Sequence, residues 1–146
     1  MRCRWLAALG LLGASPALAK DVAAADAGTH ATGTAAAQVR RLEAPEFKVA
    51  LEKARASGKF VLLDVREPNE TSGGYVQGAE LLPLNSGVFA REHGKIPKDR
   101  PVFVYCAAGR RAGRAGETLV AEGWKDVTVL SNGGYEDLRA LQGPAR

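Results

Sequence analysis

Histidine and cysteine are scarce in this sequence. Its 146 residues include two of each, and they lack the regular spacing that holds metal ions. A cysteine nucleophile in a hydrolase needs a base beside it, but His30 lies among small residues and His93 in a predicted loop, where both are expected to be solvated. The sequence therefore predicts no metal and no other cofactor, and it disfavours a Cys–His hydrolase.

Long apolar runs are also missing. The run at residues 5–12 is too short to cross a bilayer of about 30 Å as a helix. It follows Arg2 and Arg4 and precedes small residues at 17–19, which is the order of a secretory signal. We therefore predict a cleaved signal peptide at residues 1–19, a periplasmic location, and no membrane attachment after cleavage.

The basic residues form no long run either. The formal net charge is +4, and removing Arg2 and Arg4 with the signal would lower it to +2. The only local cluster is Arg110, Arg111 and Arg114, close to Cys106. Such a cluster favours a site for a small anion over a nucleic-acid surface.

The amino-acid composition, with 46% hydrophobic and 25% charged residues, is typical of one globular domain. Residues 20–38 are mostly Ala, Gly, Thr and Asp without apolar periodicity, so we predict a flexible segment there and a domain at 39–146. Signal cleavage would remove Cys3 and leave Cys106 as the only thiol in an oxidising compartment. A lone thiol is either a buried small hydrophobe or a reactive group.

Hydrophobic periodicity predicts alternating strands and helices. Continuous apolar runs predict buried strands at 60–65, 102–105 and 127–130, with a shorter apolar piece at 79–82. Helical spacing predicts helices from Pro45 to Gly58, from Ala112 towards Gly123 and over 135–141, with a short one at 86–91. This alternation predicts an α/β fold whose parallel sheet binds ligands at the carboxyl ends of its strands.

Cys106 directly follows one of these strands and precedes a short loop and a helix. Unpaired backbone N–H groups and the positive end of the helix dipole meet at such a place, where they stabilise a thiolate or another anion. Arg110 and Arg111 add positive charge, and Gly109 allows a close backbone approach. The position predicts that Cys106 is a nucleophile in an anion-binding loop.

The segment CAAGRR at 106–111 resembles the active-site loop of the rhodanese family, C-x-x-G-x-R. Residues 64–70, DVREPNE, are similar to the family segment D-V-R-x-x-x-E, and residues 74–83 resemble G-H-I-x-G-A-x-x-I-P. A looser similarity at 123–134 matches G-F-x-x-V followed by L-x-G-G. Together these segments span about residues 39–141, and the chain resembles the small periplasmic rhodaneses of Gram-negative bacteria.

This resemblance implies a parallel sheet of about five strands with helices on both faces. It implies a sulfurtransferase in which an anionic donor such as thiosulfate gives sulfur to Cys106, and cyanide, a thiol or a partner protein removes it from the persulfide. It also implies that Asp64 and Arg66 brace the loop through charge-assisted hydrogen bonds, and that Arg110 or Arg111 binds the donor. The implied substrate-binding residues are Ala107, Ala108, Gly109, Arg110 and Arg111.

The sequence departs from the family pattern at a few positions. Tyr75 replaces the usual histidine, and Leu138 replaces an aromatic residue that often follows the glycine pair. Ala112 replaces the hydroxyl residue that often follows the loop arginine, so slower turnover is expected. Glu67 and Glu70 are predicted to be solvated loop charges.

Two alternatives stay open. A phosphatase or arsenate reductase of the C-x5-R type would need an arginine at the position of Ala112, and Arg111 comes one residue too early. Rhodanese-like domains also serve as non-catalytic binding modules, which typically lack the cysteine that stands here at Cys106. A persulfide carrier for a partner protein would use the same chemistry as the enzyme.

Overall fold

Five short strands form one fully parallel sheet, as the alternating pattern predicts. They are β1 (Val39–Leu42), β2 (Val61–Asp64), β3 (Ala79–Leu81), β4 (Val102–Tyr105) and β5 (Val127–Leu130), in the order β1-β5-β4-β2-β3. The structure is a computed structural model that describes residues 37–141, which belong to one compact unit. The predicted signal peptide and most of the predicted flexible segment lie outside the described residues.

The helices follow the strands closely in sequence. They are α1 (Ala44–Ser57), α2 (Pro68–Thr71), α3 (Val88–Glu92), α4 (Arg110–Ala121) and α5 (Tyr135–Leu138), with 3₁₀ turns at His93–Lys95 and Arg139–Leu141. Helix α1 begins with Pro45 in its first turn and ends at Gly58, whose left-handed backbone (φ +68°) lets its N–H bond to the Arg55 carbonyl at 3.0 Å. Strand β1 and helix α2 were not predicted, and the last predicted helix finishes as a 3₁₀ turn.

Helices cover both faces of the sheet, which confirms the predicted fold class. Successive strand residues point to opposite faces, so Leu63 and Val104 pack under α3 and α4, whereas Leu62 and Phe103 pack under α1 and α5. The central strands β2, β4 and β5 are buried along their whole length. Because both faces of these strands are buried, their sequences are continuous apolar runs.

The topology places a crevice at the carboxyl ends of β2 and β4. The chain leaves β2 towards β3 on one side of the sheet, and it leaves β4 towards β5 on the other side. Ligands of parallel α/β sheets bind where neighbouring strands diverge in this way. The segments that follow these two strands, residues 65–70 and 106–109, are therefore the ones that can form a site.

Within residues 37–141, no helix combines the length and hydropathy needed to cross a membrane.

Helix α4 lies close to the sheet at Gly116. A Cβ atom at this glycine would lie 2.5 Å from Cγ1 of Val129 and 3.1 Å from Cγ1 of Val39. Both distances are shorter than van der Waals contact, so a side chain here must push α4 away from β1 and β5.

We expect Gly116→Ala to lower the free energy of unfolding by about 1–2 kcal/mol, because overpacking outweighs the better helix propensity of alanine. Urea denaturation measures this loss. Gly94→Ala is the matched control, since no atom lies within 4 Å of the added Cβ. Equal stability of the two variants would contradict the close packing of α4.

Candidate active site

Cys106 sits at the carboxyl end of the central strand β4, where the sequence places it. The residue is only 1% exposed, and its Sγ accepts a hydrogen bond from the Gly109 N–H at 3.1 Å. Gly109 has φ +83°, and a Cβ there would lie 3.3 Å from both the Leu130 carbonyl oxygen and the Asn132 nitrogen. Backbone conformation and space therefore both favour glycine at the turn that points an N–H at the sulfur.

The backbone at the start of α5 holds the Cys106 loop in place. The Tyr135 N–H donates to the Cys106 carbonyl at 2.9 Å. A Cβ at Gly134 would lie 1.8 Å from the Ala107 carbonyl oxygen, so no side chain fits there. The second glycine of the pair therefore allows direct contact between the two backbones.

A cavity of about 300 Å³ opens above the sulfur. Three of its six lining residues are arginines from the first two turns of α4, so the cavity is strongly positive. The lining residues are Asn85, Cys106, Ala108, Arg110, Arg111 and Arg114. Of the predicted substrate-binding residues, Ala107 and Gly109 are absent from this lining, and they contribute backbone to the loop instead.

Asn85 and Arg114 were not predicted as site residues. Arg114 was noted only as part of the basic cluster, although its position one helical turn after Arg110 places both on one face of α4. Asn85 comes from the loop before α3, which no local motif connects to Cys106.

The two loop arginines differ in their surroundings. Arg111 forms a two-pronged ion pair with Glu70, from Nη1 to Oε2 at 2.5 Å and from Nη2 to Oε1 at 2.6 Å. Within residues 37–141 the Arg110 side chain has no hydrogen bond or ion pair. Arg111 is therefore held in one geometry, whereas Arg110 is available to a ligand.

Glu70 has a structural role, so the prediction that it is a solvated charge was wrong. Its hydrogen bonds from Arg111 lower its pKa to about 2, even though partial burial acts in the opposite direction. The Glu67 N–H donates to the same carboxylate at 3.0 Å and helps to orient it. The pairing in turn raises the pKa of Arg111, chiefly through the hydrogen bond to Glu70.

Asp64 and Arg66 brace a different loop from the one implied by the family resemblance. Arg66 donates to both Asp64 oxygens at 2.7 to 3.0 Å, to the Glu70 carbonyl at 3.0 Å and to the Gly74 carbonyl at 2.9 Å. Neither side chain bonds to residues 107–111 in the described part of the chain. The bracing reaches the Cys106 loop indirectly, because Arg66 positions Glu70 and Glu70 holds Arg111.

Tyr105 connects Asp64 to the carboxyl end of β4. Its buried hydroxyl donates to Asp64 Oδ2 at 2.7 Å and accepts from the Val76 N–H at 3.0 Å. Burial raises the pKa of Tyr105, and the neighbouring Asp64 charge raises it further. The tyrosine therefore stays neutral and donates to the buried carboxylate.

His93 lies away from this site and is not the solvated residue that the sequence predicts. It is 9% exposed and stacks on Phe89 with ring centroids 4.9 Å apart. Its ring nitrogens contact the Phe89 carbonyl at 2.8 Å and Glu122 at 2.7 Å. Both nitrogens have partners, so His93 is a structural residue.

Fold and site together define a class: a parallel α/β domain with an arginine-lined cavity beside a cysteine. The model of the Rhodanese-like domain family matches residues 46–141. The chain therefore belongs to the rhodanese-like family, whose members among its relatives include sulfurtransferases.

The relatives and solved structures agree with this assignment. The chain is 36% identical to the uncharacterized protein YqhL of Bacillus subtilis over 65% of this chain and 69% of that protein. It is 39% identical to the thiosulfate sulfurtransferase PspE of Escherichia coli over 52% of this chain and 71% of that protein. A rhodanese-like domain protein of Staphylococcus aureus superimposes with a TM-score of 0.55 at 26% identity, covering 67% of this chain and 89% of that one.

We expect Glu70→Gln to lower the free energy of unfolding at neutral pH by about 1–2 kcal/mol, a value reduced by the partial exposure of the pair. Because the pKa of Glu70 is about 2 in the folded protein and 4.5 in an ordinary glutamate, the pair stabilises the fold fully above pH 4.5. This contribution is lost as the pH falls from 4.5 towards 2.

Urea denaturation of both proteins across this pH range measures the effect. The difference between wild type and variant should shrink as the pH falls. Glu136→Gln is a control, since Glu136 is a more exposed acid paired with Arg139 and lies outside the cavity. A difference that does not depend on pH would contradict the assigned role of Glu70.

Proposed function

We propose that the chain is a thiosulfate sulfurtransferase that carries sulfur on Cys106 as a persulfide. The observation that carries the proposal is the Cys106 sulfur, which receives the Gly109 N–H at the base of an arginine-lined cavity. Such a site stabilises negative charge on the sulfur and attracts an anionic reagent. Similarity to PspE, which is named a thiosulfate sulfurtransferase, supports thiosulfate as the donor.

In the first step the Cys106 thiolate attacks the outer sulfur of thiosulfate. A bond forms between Cys106 Sγ and that sulfur, while the sulfur–sulfur bond of the donor breaks. Sulfite leaves with the bonding electron pair, and the negative charge moves to the outer sulfur of the persulfide. The persulfide lies in the loop where the Ala107 and Ala108 N–H groups have no partner among the described residues.

In the second step an acceptor nucleophile, cyanide or a thiolate, attacks the outer sulfur. The new bond uses the acceptor's electron pair, and the pair of the persulfide bond returns to Cys106 as a thiolate. The described residues contain no second cysteine that could take the sulfur. Cys3 lies in the segment 1–19 that we propose is removed on export, so in the mature chain the acceptor is a separate molecule, either a small nucleophile or a partner protein.

Arg110 is the arginine that we assign to donor binding. It lines the cavity without a partner, whereas Arg111 is engaged by Glu70. A fixed positive charge on Arg111 still stabilises the negative charge that moves along the reacting sulfurs, because it needs no reorganisation during the reaction.

The phosphatase alternative has less support from this geometry. The position that should hold the anion-binding arginine of a C-x5-R loop is Ala112, a residue of α4 that is completely buried in the core. The arginine that precedes it is occupied by Glu70. A persulfide carrier for a partner protein uses the same first step and differs only in the acceptor.

We also propose that the protein is exported and loses residues 1–19. The basic start, short apolar run and small residues of that segment support this assignment. We expect the protein recovered from the periplasmic fraction to have the mass of a chain that begins at Lys20. Recovery of only the full-length mass, or recovery only from the cytoplasm, would contradict export.

We expect thiosulfate to increase the mass of the intact protein by one sulfur atom, and cyanide or excess thiol to remove it. Cys106→Ser should give no adduct, whereas the matched variant Cys3→Ser in the full chain should behave like wild type. Intact-protein mass spectrometry measures each outcome. Absence of the adduct, together with hydrolysis of an aryl phosphate, would contradict this proposal and show that the protein is a phosphatase.

A further inference from the structure

The cavity offers more room and charge than the sulfur donor requires. Its volume of about 300 Å³ lies at the lower end of sites that bind organic ligands, whereas thiosulfate and cyanide are both much smaller than such ligands. A donor anion bound by Arg110 next to Cys106 therefore leaves the outer part of the cavity free. Arg114 and Asn85 are the two lining residues without a role in the donor step.

Arg114 lies one helical turn beyond Arg110 on the same face of α4. Side chains at this spacing have Cβ atoms about 6 Å apart, so the two guanidinium groups can bind two separate negative groups. Arg110 is in the first turn of α4, directly after the cysteine loop, and Arg114 is one turn farther along the helix and also lines the cavity.

No acid of the described chain neutralises Arg114. Glu117, which follows it by three residues on α4, forms an ion pair with Arg41 at 2.6 Å. Glu70 is fully engaged by Arg111. The Arg114 side chain has no hydrogen bond or ion pair within residues 37–141, so a cavity wall presents an unpaired cation.

We propose that Arg114 binds a carboxylate of the sulfur acceptor and thereby selects small carboxylate-bearing thiols over neutral ones. This inference rests on the proposed function, because it concerns the step that discharges the Cys106 persulfide. Asn85 lines the same cavity. Its backbone N–H donates to Glu67 Oε1 at 2.9 Å, whereas its side-chain amide has no hydrogen bond within residues 37–141 and can donate to the same carboxylate. Arg114 is thus a specificity-determining residue for the second half of the reaction.

The discharge step uses this contact for orientation. The acceptor thiolate attacks the outer persulfide sulfur, the bond from that sulfur to Cys106 Sγ breaks, and its electron pair stays on Sγ. The acceptor leaves as a persulfide, and the total charge is unchanged. A carboxylate anchored at Arg114 holds the thiolate near the reacting sulfur and reduces the entropy lost on reaching the transition state.

The test separates the discharge step from the loading step. Protein loaded with thiosulfate and freed of excess donor is mixed with 3-mercaptopropionate or with its neutral amide, at equal thiolate concentrations. We expect discharge to be about tenfold faster with the carboxylate at low salt, corresponding to one charge-assisted hydrogen bond. The preference should fall as ionic strength rises.

Arg114→Gln should remove the preference for the carboxylate, because discharge by the carboxylate should slow about tenfold more than discharge by the amide. Arg100→Gln is the matched control, since it removes the same charge from an exposed residue. Arg100 precedes the amino end of β4, whereas Cys106 follows its carboxyl end. Arg110→Gln should instead slow loading by thiosulfate. The loading rate and the discharge rate are both measured by quenching the reaction at set times and recording the mass of the intact protein.

Two results would overturn the inference and leave the proposed function intact. One is equal discharge of the wild-type persulfide by both thiols. The other is loss of the preference in Arg100→Gln as well as Arg114→Gln. Failure of wild-type protein to accept sulfur from thiosulfate would instead remove the proposed function itself.

Discussion

The buried guanidinium of Arg66 is the constraint on which the rest of the site depends. A charge that is 3% exposed must be satisfied within the protein, and it takes the Asp64 carboxylate and the carbonyls of Glu70 and Gly74. It also lies 3.8 Å from the centre of the Tyr135 ring at the start of α5. Burial alone would lower the pKa of Arg66, but the hydrogen bonds to Asp64 and the charge of Asp64 raise it, with a further contribution from Tyr105. One side chain thus ties the end of β2 to the loop at 70–74 and to the final helix.

Arg66 affects the cavity through two neighbours, Glu70 and helix α5. Because the Glu70 carbonyl is fixed by Arg66, its carboxylate is aimed at Arg111 across the crevice between β2 and β4. Because α5 lies against the guanidinium, the backbone of Gly134 and Tyr135 contacts the Cys106 loop. A brace that never touches residues 107–111 therefore determines where the loop and one of its arginines stand.

The sequence predicted the parts of the fold whose local pattern matches their surroundings. Strands β2, β4 and β5 are buried on both faces, so their apolar runs mark them to within about a residue. Strand β1 was not predicted because it is an edge strand without an apolar run. Arg40 and Arg41 are exposed, and only its first and last residues are half-buried. The loop of Cys106 was predicted because its elements are contiguous in the chain. The Glu70–Arg111 pair joins residues 41 positions apart, and no periodicity connects them.

Separate surroundings give the three arginines of α4 separate roles. Were Glu70 absent, Arg110, Arg111 and Arg114 would repel one another and bind any anion without a preferred position. Pairing Arg111 lowers that repulsion and leaves one unpaired cation on either side of it along the helix, Arg110 in the first turn and Arg114 one turn later. In the reaction that we propose, this places one cation for a compact donor beside the Cys106 loop and a second for a larger acceptor that spans the cavity. Pairing the middle arginine with Glu70 would then allow the outer two to act at different steps.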